Sequence, residues 1–147
     1  MIISGLTLDS LSEISRSLGK DIIITGKSAL VINKLIRDNF DTVSITCLKE
    51  AYSNKNYNVQ FEYAHLRDMY KTVRLADGVY VPTSEKSLLD TMVWYPENVD
   101  KKTVLIALHN YKLLRGDAGL DRLYNIADHY KVPRQFINYW WKEADYR

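Results

Sequence analysis

The segment 25–28, which reads Thr-Gly-Lys-Ser, combines the residue types of a phosphate-binding loop. It follows an apolar run with three consecutive isoleucines, as such a loop follows a strand. The phosphate-loop motif also needs a glycine five positions before Gly26, and Asp21 occupies that position. We therefore interpret Gly26 as a tight strand-to-helix turn, although free backbone N–H groups at such a helix start can bind an anion.

A nucleotidyltransferase site would need two carboxylates on the strand that follows the turn at Gly26, because these carboxylates bind magnesium. Asp41 supplies one carboxylate, but Val43 occupies the place of the second. The three histidines, His65, His109 and His129, lie too far apart for a metal-ligand spacing. We predict no catalytic residue, no metal ligand and no cofactor, and a protein that is not an enzyme. A nucleotidyltransferase-like or other enzyme is left as an alternative.

Length, charge and cysteine content limit the class of protein. The 147 residues are enough for one domain with a hydrophobic core. The 20 basic and 18 acidic residues give a net charge of +2, so bulk charge does not argue for nucleic-acid binding. Cys47 is the only cysteine, which excludes a disulfide within the chain and a cysteine-based zinc site.

The sequence has no feature of an exported or membrane protein. No apolar run reaches the ~18 residues that a membrane span needs, and residues 1–8 lack the basic region of a signal peptide. We expect a cytoplasmic protein that does not bind a membrane.

Apolar periodicity and turn residues predict a single α+β domain over residues 1–147. A small mixed β-sheet in the first half has helices packed on it, and the second half is helical. Strands are predicted at 21–25, 43–48, 58–63, 71–75 and 79–81, and helices at 8–18, 29–36, 85–95, 100–113, 119–130 and 133–143. The Asp77–Gly78 pair predicts a hairpin between the last two strands.

The last two predicted helices match the spacing of a helix-turn-helix over residues 120–142. Ala127 allows a close helix crossing, Val132 fills the turn, and Ile137 and Trp140 anchor the second helix. Two short helices that only complete the core would show a similar pattern, and that alternative stays open. The residues predicted to contact DNA are Lys131, Arg134, Gln135, Asn138 and Lys142, with Tyr139 on the same recognition face.

The C-terminal region is also rich in aromatic residues that suit a protein interface. The chain has eleven Tyr and three Trp, and both types combine an apolar body with a polar group. Trp140 and Trp141 are adjacent, so they cannot both be buried on one helix face. The residues predicted to contact a protein partner are Arg134, Tyr139, Trp140, Trp141 and Tyr146.

The segment 79–90 joins a β-like run to a helix through Pro82, with Thr83 or Ser84 as the N-cap residue. This strand–cap–helix junction ends in Leu-Leu-Asp. It resembles a signature of the AbiE-type antitoxins, which are the regulator half of type IV toxin–antitoxin pairs. The residues that carry this structural motif are Ser84, Glu85, Leu88, Leu89 and Asp90. The segments 28–35 and 40–46 resemble the helix and strand that precede the junction in that family.

The resemblance implies a non-catalytic, antitoxin-like regulatory or interaction protein. It implies a protein partner, namely a nucleotidyltransferase-like toxin or a second copy of the chain, and a role in phage defence. Members of this family usually carry an N-terminal winged helix, but Ser28 is reached after only 27 residues. We therefore expect the family's C-terminal module without the winged helix. A small DNA-binding transcriptional regulator that uses residues 120–142 is the alternative.

Overall fold

The computed structural model describes residues 2–3, 6–37, 43–46, 59–61, 68–94 and 99–146. The strands within these ranges are β1 (Ile2–Ile3), β2 (Leu6–Thr7), β3 (Ile22–Ile24), β4 (Val43–Thr46), β5 (Val59–Phe61), β6 (Thr72–Ala76) and β7 (Val79–Pro82). The helices are α1 (Leu8–Leu18), α2 (Gly26–Ile32), α3 (Ser84–Trp94), α4 (Lys101–Arg115), α5 (Asp117–His129) and α6 (Arg134–Glu143). The predicted α+β class with a helical C-terminal half is confirmed.

The main sheet has five described strands in the order β5-β4-β3-β7-β6. β3 pairs antiparallel with β4 and parallel with β7. β4 pairs parallel with β5, and β6 pairs antiparallel with β7. The sheet is therefore mixed, as predicted. β1 and β2 form a separate antiparallel pair, which was not predicted.

The hairpin between β6 and β7 turns at Asp77–Gly78, where the sequence predicts it. Gly78 has a φ of 71°, a backbone conformation that glycine adopts without steric cost. A Cβ atom at this position would lie 2.8 Å from the Cβ of Ser15 in α1. Gly78 therefore permits both the turn and the close packing of α1 on the hairpin.

α2 differs from its prediction at both ends. It begins at Gly26 and ends at Ile32, whereas the apolar pattern predicts a helix over 29–36. Lys34 has a φ of 61°, which stops the helix, and the buried Leu35 and Ile36 follow outside it. The apolar pattern reports burial of these residues correctly but not their backbone conformation. The Cys47 position and the predicted loop at 49–58 lie outside the described residues.

The core has two parts, and the larger part lies among the helices. The smaller cluster joins α1 and α2 to strands β3, β4 and β7 through aliphatic side chains. The larger cluster contains residues of α2 to α6, including Leu88 and Leu89 of α3 and Trp140 of α6. α3 therefore lies at the centre of the helical half.

Thr83 fixes the start of α3. Its side-chain oxygen accepts a hydrogen bond from the Lys86 N–H at 3.4 Å, which confirms Thr83 as the cap residue. The Thr83 N–H in turn donates to the Lys71 carbonyl oxygen at 2.9 Å. The start of α3 is thus tied to the turn at residues 68–71, ahead of β6.

The helices α4, α5 and α6 agree with their predictions to within a few residues. The Asp100 carboxylate accepts from the Thr103 N–H at 2.7 Å and caps α4. Gly116 separates α4 from α5, and Pro133 precedes α6. None of the helices in the described ranges has the combination of length and apolar character that crossing a membrane requires.

Candidate functional site

Lys86 is the centre of a polar cluster that joins the 68–71 turn to α3. Its side chain is only 1% exposed. The Lys86 ammonium donates to the Asp68 carboxylate at 2.7 Å, to the Asp68 carbonyl at 2.7 Å and to the Tyr70 carbonyl at 2.6 Å. An ammonium group has three protons to donate, and here each has an acceptor. Lys86 therefore holds the 68–71 turn against α3.

The charges in this cluster shift the pKa values of its members. Burial lowers the pKa of Lys86, and the carboxylates of Asp68 and Asp90 only partly oppose that effect. Burial would raise the pKa of Asp68, but the hydrogen bonds from Lys86 and Tyr130 outweigh it and lower that pKa. Burial and the Asp68 carboxylate together raise the pKa of Tyr130. The cluster thus contains a carboxylate that is held ionised and a phenol that is held protonated.

Aromatic rings close the cluster towards α5. Tyr130 donates its hydroxyl to the Asp68 carboxylate at 2.6 Å. The rings of Tyr70 and His129 are stacked, with centroids 3.6 Å apart, and Tyr130 packs edge-on against both. The 68–71 turn is therefore bound to α3 by charge and to α5 by ring contacts.

A second pairing joins α3 to α4 and α5. The Tyr111 hydroxyl donates to the Glu85 carboxylate at 2.7 Å and lies 3.4 Å from the Gly119 carbonyl oxygen. Burial and the Glu85 carboxylate raise the pKa of Tyr111. A Cβ on Gly119 would lie 2.7 Å from the Tyr111 ring, so the glycine makes room for this tyrosine.

The predicted junction motif is structural in this fold. Ser84 begins α3, Glu85 accepts from Tyr111, and Leu88 and Leu89 are fully buried in the helical core. Asp90 is buried on the same helix and contributes negative charge near Lys86. The motif therefore places α3 in the core.

The residues that anchor the helix-turn-helix alternative have the predicted burial in α5 and α6, as two helices that only complete the core would also have. Ala127, Ile137 and Trp140 are buried, and the chain turns between them at Tyr130–Pro133. Lys131 in this turn has a φ of 60°. The predicted DNA-contacting residues Lys131, Arg134, Gln135, Asn138 and Lys142 are all exposed.

Two of these exposed residues already have partners within the chain. The Arg134 guanidinium donates to both carboxylate oxygens of Asp128, at 2.7 and 3.2 Å. This hydrogen bonding lowers the pKa of Asp128 and raises that of Arg134. The Asn138 side-chain oxygen accepts from the Tyr124 hydroxyl. Base or phosphate contacts by Arg134 and Asn138 would therefore have to replace these bonds.

The aromatic residues predicted to contact a partner do not form one surface. Tyr139 is 50% exposed, and Trp141 is half-buried under the Lys112 ammonium, 4.7 Å from its ring centre. Residues that are two positions apart on a helix lie about 200° apart around its axis, so Tyr139 and Trp141 point in nearly opposite directions. The side chain of Tyr146 lies outside the described residues.

The prediction that Trp140 contacts a partner is wrong. Trp140 is 1% exposed and is the largest fully buried side chain among the described residues. The adjacent tryptophans do differ in burial, as helix geometry requires, but the buried one is Trp140, which packs into the helical core of its own chain.

Sequence reasoning missed the roles of Asp68, Lys86 and Tyr130. The signal available was the position of Lys86 three residues before Leu89, on the same face of a helix that is predicted to be buried, where a lysine needs a partner for its charge. His65, one of the three histidines considered as metal ligands, lies outside the described residues. Within the described ranges, no group of three or more His, Cys, Asp or Glu side chains is placed to hold a metal ion.

Comparisons with protein-family models, curated proteins and solved structures found no match to this chain.

Proposed function

We propose that this chain is a non-catalytic, antitoxin-like protein that binds a protein partner in the cytoplasm through the outer face of α6. The partner we propose is a nucleotidyltransferase-like toxin, because segments 28–35 and 81–90 resemble the AbiE-type antitoxins. The outer face of α6 consists of Arg134, Gln135, Asn138, Tyr139 and Lys142, all of which are exposed.

The half-exposed ring of Tyr139 is the observation that carries this proposal. The ring packs edge-on against the buried Trp140, with centroids 6.1 Å apart. The Lys101 ammonium lies 3.2 Å from the Tyr139 hydroxyl and 5.6 Å from the ring centre. An exposed tyrosine that is already held in place loses little conformational entropy on binding. Tyrosine is also among the residue types that dominate binding energy at protein interfaces.

The charges around Tyr139 favour a partner with an acidic surface. The outer face of α6 contains Arg134 and Lys142 and no carboxylate, and Lys101 adds a cation beside the tyrosine. Asp128 of α5 offsets the charge of Arg134, so Lys142 and Lys101 leave this region net positive. The Arg134–Asp128 pair fixes the orientation of one guanidinium before any partner arrives. Complementary charge of this kind mainly raises the association rate and selects the partner.

The internal bonding of the Lys86 cluster supports binding rather than catalysis. A lysine that acts as a nucleophile needs its lone pair available to substrate. Lys86 is charged, buried and bonded to three acceptors, and the phenols of Tyr111 and Tyr130 each donate to a carboxylate. These groups stabilise the fold, so the exposed face of α6 is the better candidate for function.

DNA binding by α5 and α6 is the second candidate. It is favoured by the buried Ala127, Ile137 and Trp140 at the positions that a helix-turn-helix uses. The bonds of Arg134 to Asp128 and of Asn138 to Tyr124 weaken this candidate, since both side chains are engaged within the chain. Protein binding through Tyr139 requires neither bond to break.

The test is capture of the tagged chain from its native host, with and without nuclease treatment, followed by mass spectrometry. Recovery of a nucleotidyltransferase-type protein after nuclease treatment supports the proposal. Recovery of nucleic acid that nuclease abolishes, together with steep weakening by salt from counterion release, would favour the DNA-binding candidate instead.

A further inference from the structure

A pocket of about 270 Å³ lies between the 68–71 turn, the start of α3 and one face of α5. No residue of α6 lines it, so it is separate from the surface proposed above. Its polar and aromatic lining residues are Tyr70, Lys71, Thr83, Glu85, Arg122 and Asn125. Ligand pockets usually range from about 300 to 1,000 Å³, so this pocket lies just below that range and suits a ligand group as small as a phosphate.

Two cations from different elements face this pocket. Lys71 comes from the turn before β6, and Arg122 comes from α5. Within the described ranges, neither side chain forms an ion pair with a carboxylate. Lys71 has a φ of 53°, a left-handed turn conformation like those of Lys34 and Lys131.

Glu85 is the one acidic residue in the lining, and its charge is partly engaged elsewhere. Its carboxylate accepts the Tyr111 hydroxyl hydrogen at 2.7 Å. Two cations and one carboxylate leave the pocket with a net positive charge. The Thr83 hydroxyl, just before α3, and the Asn125 amide, on α5, add neutral hydrogen-bond donors.

We propose that this pocket binds the phosphate group of a small phosphate-bearing molecule. A phosphate offers three acceptor oxygens that point in different directions, which matches donors on the turn, α3 and α5. A carboxylate offers two coplanar oxygens and would satisfy only the planar fork of an arginine. Arg122 and Lys71 supply the charge, while Thr83 and Asn125 supply the remaining hydrogen bonds.

Lys86 fixes the wall of the pocket without touching the ligand. Its ammonium donates to the carbonyl oxygens of Asp68 and Tyr70, which precede Lys71 in the turn. Tyr70 is fixed further by its stack on His129. The Lys71 side chain is therefore presented from a turn that is bonded to α3 and α5.

The experiment is isothermal titration of the full chain with inorganic phosphate, with a nucleoside monophosphate and with the uncharged nucleoside. Phosphate binding without nucleoside binding is expected. Arg122→Gln and Lys71→Gln should each weaken phosphate binding about tenfold, since each removes a charged hydrogen-bond donor. Glu85→Gln should tighten it, because the amide removes the opposing charge and can still accept from Tyr111. Arg16→Gln, on the exposed side of α1, is the matched control and should change nothing.

Tighter binding of the monophosphate than of inorganic phosphate supports a phosphate-ester ligand, and equal binding supports free phosphate. The proposal is overturned if millimolar phosphate does not bind the wild-type chain, or if the uncharged nucleoside binds as well as the monophosphate. It is also overturned if Arg122→Gln and Lys71→Gln both bind phosphate like the wild type. Circular dichroism of every variant establishes that the fold is retained, and the two independent charge removals keep the test valid if one variant unfolds.

Discussion

The Lys86 ammonium lies 2.7 Å from the Asp68 carboxylate, but the two side chains differ greatly in exposure. Lys86 is 1% exposed, whereas Asp68 is 51% exposed. The cation therefore loses its hydration on folding, and the anion keeps about half of its own. Removing the anion leaves a buried charge without its counterion, while removing the cation leaves a carboxylate that water can solvate.

We predict that Asp68→Asn destabilises the protein more than Lys86→Met does. Asp68→Asn should lower the free energy of unfolding by about 1–2 kcal/mol, a value reduced by the water that screens the half-exposed carboxylate. Lys86→Met keeps the buried volume and removes the charge, so it should cost less than about 1 kcal/mol. Urea unfolding followed by circular dichroism measures both values. A larger loss of stability for Lys86→Met than for Asp68→Asn would contradict this prediction.

The raised pKa values of two tyrosines predict a loss of stability in alkali. Tyr111 and Tyr130 have pKa values above the ordinary value of 10.0, so the unfolded chain releases these protons first. Their contribution to the free energy of unfolding is complete below pH 10 and decreases as the pH rises above it. The pKa of Lys86 is lowered from 10.5, so its contribution to the free energy of unfolding increases as the pH rises in the alkaline range.

The measurement is the urea midpoint as a function of pH, for the wild type and for Tyr130→Phe. The wild type should lose stability above pH 10, and the variant should lose less because it lacks one of the two phenols. Identical curves for the two proteins would contradict the Tyr130–Asp68 hydrogen bond as a source of stability.

Adjacent aromatic residues of α6 should respond differently to truncation. Trp140→Ala should cost about 3–5 kcal/mol, because it opens a cavity in the helical core. Tyr139→Ala should cost less than about 1 kcal/mol, because half of its ring is already in water. Thermal unfolding of the two variants measures the difference. Equal costs would mean that Tyr139 is a core residue and would argue against its role in binding.

Gly78 and Gly19 form a matched pair for steric tests. Both have positive φ angles, 71° and 65°, but only Gly78 has a neighbour within contact distance of an added Cβ atom. Gly19→Ala should cost about 1 kcal/mol from backbone strain alone. Gly78→Ala should cost about 1–3 kcal/mol more, from the clash with Ser15. Denaturant unfolding measures the loss of stability in both variants. Equal losses would show that α1 moves away from the hairpin freely enough to accommodate the added Cβ atom.

The elements of this fold were predictable because local residues determine them. Gly116 and Pro133 mark the helix boundaries, and Asp77–Gly78 marks the hairpin, each through its own backbone preferences. The burial of Leu88 and Leu89 agrees with the apolar helical pattern. The end of α2 was predicted wrongly because Leu35 and Ile36 are buried without being helical.

The pairings within the Lys86 cluster were not predictable because they join distant parts of the chain. Lys86 and Asp68 are 18 residues apart, and Tyr130 and Asp68 are 62 residues apart. Sequence patterns report which face of an element is apolar, but they do not report which element covers it. The same limit explains Trp140, since the pattern could not decide which of two adjacent tryptophans is buried.

Partner capture tests whether the outer face of α6 binds a protein, as we propose. The most direct measurement is the recovery of the partner captured from nuclease-treated host extract, compared among the wild type, Tyr139→Ala, Lys142→Glu and the control Arg16→Glu. We expect the wild type and Arg16→Glu to recover a nucleotidyltransferase-type protein equally, and both α6 variants to lose most of it while remaining folded. Equal recovery by all four proteins, or recovery of nucleic acid alone, would show that this face does not bind the partner.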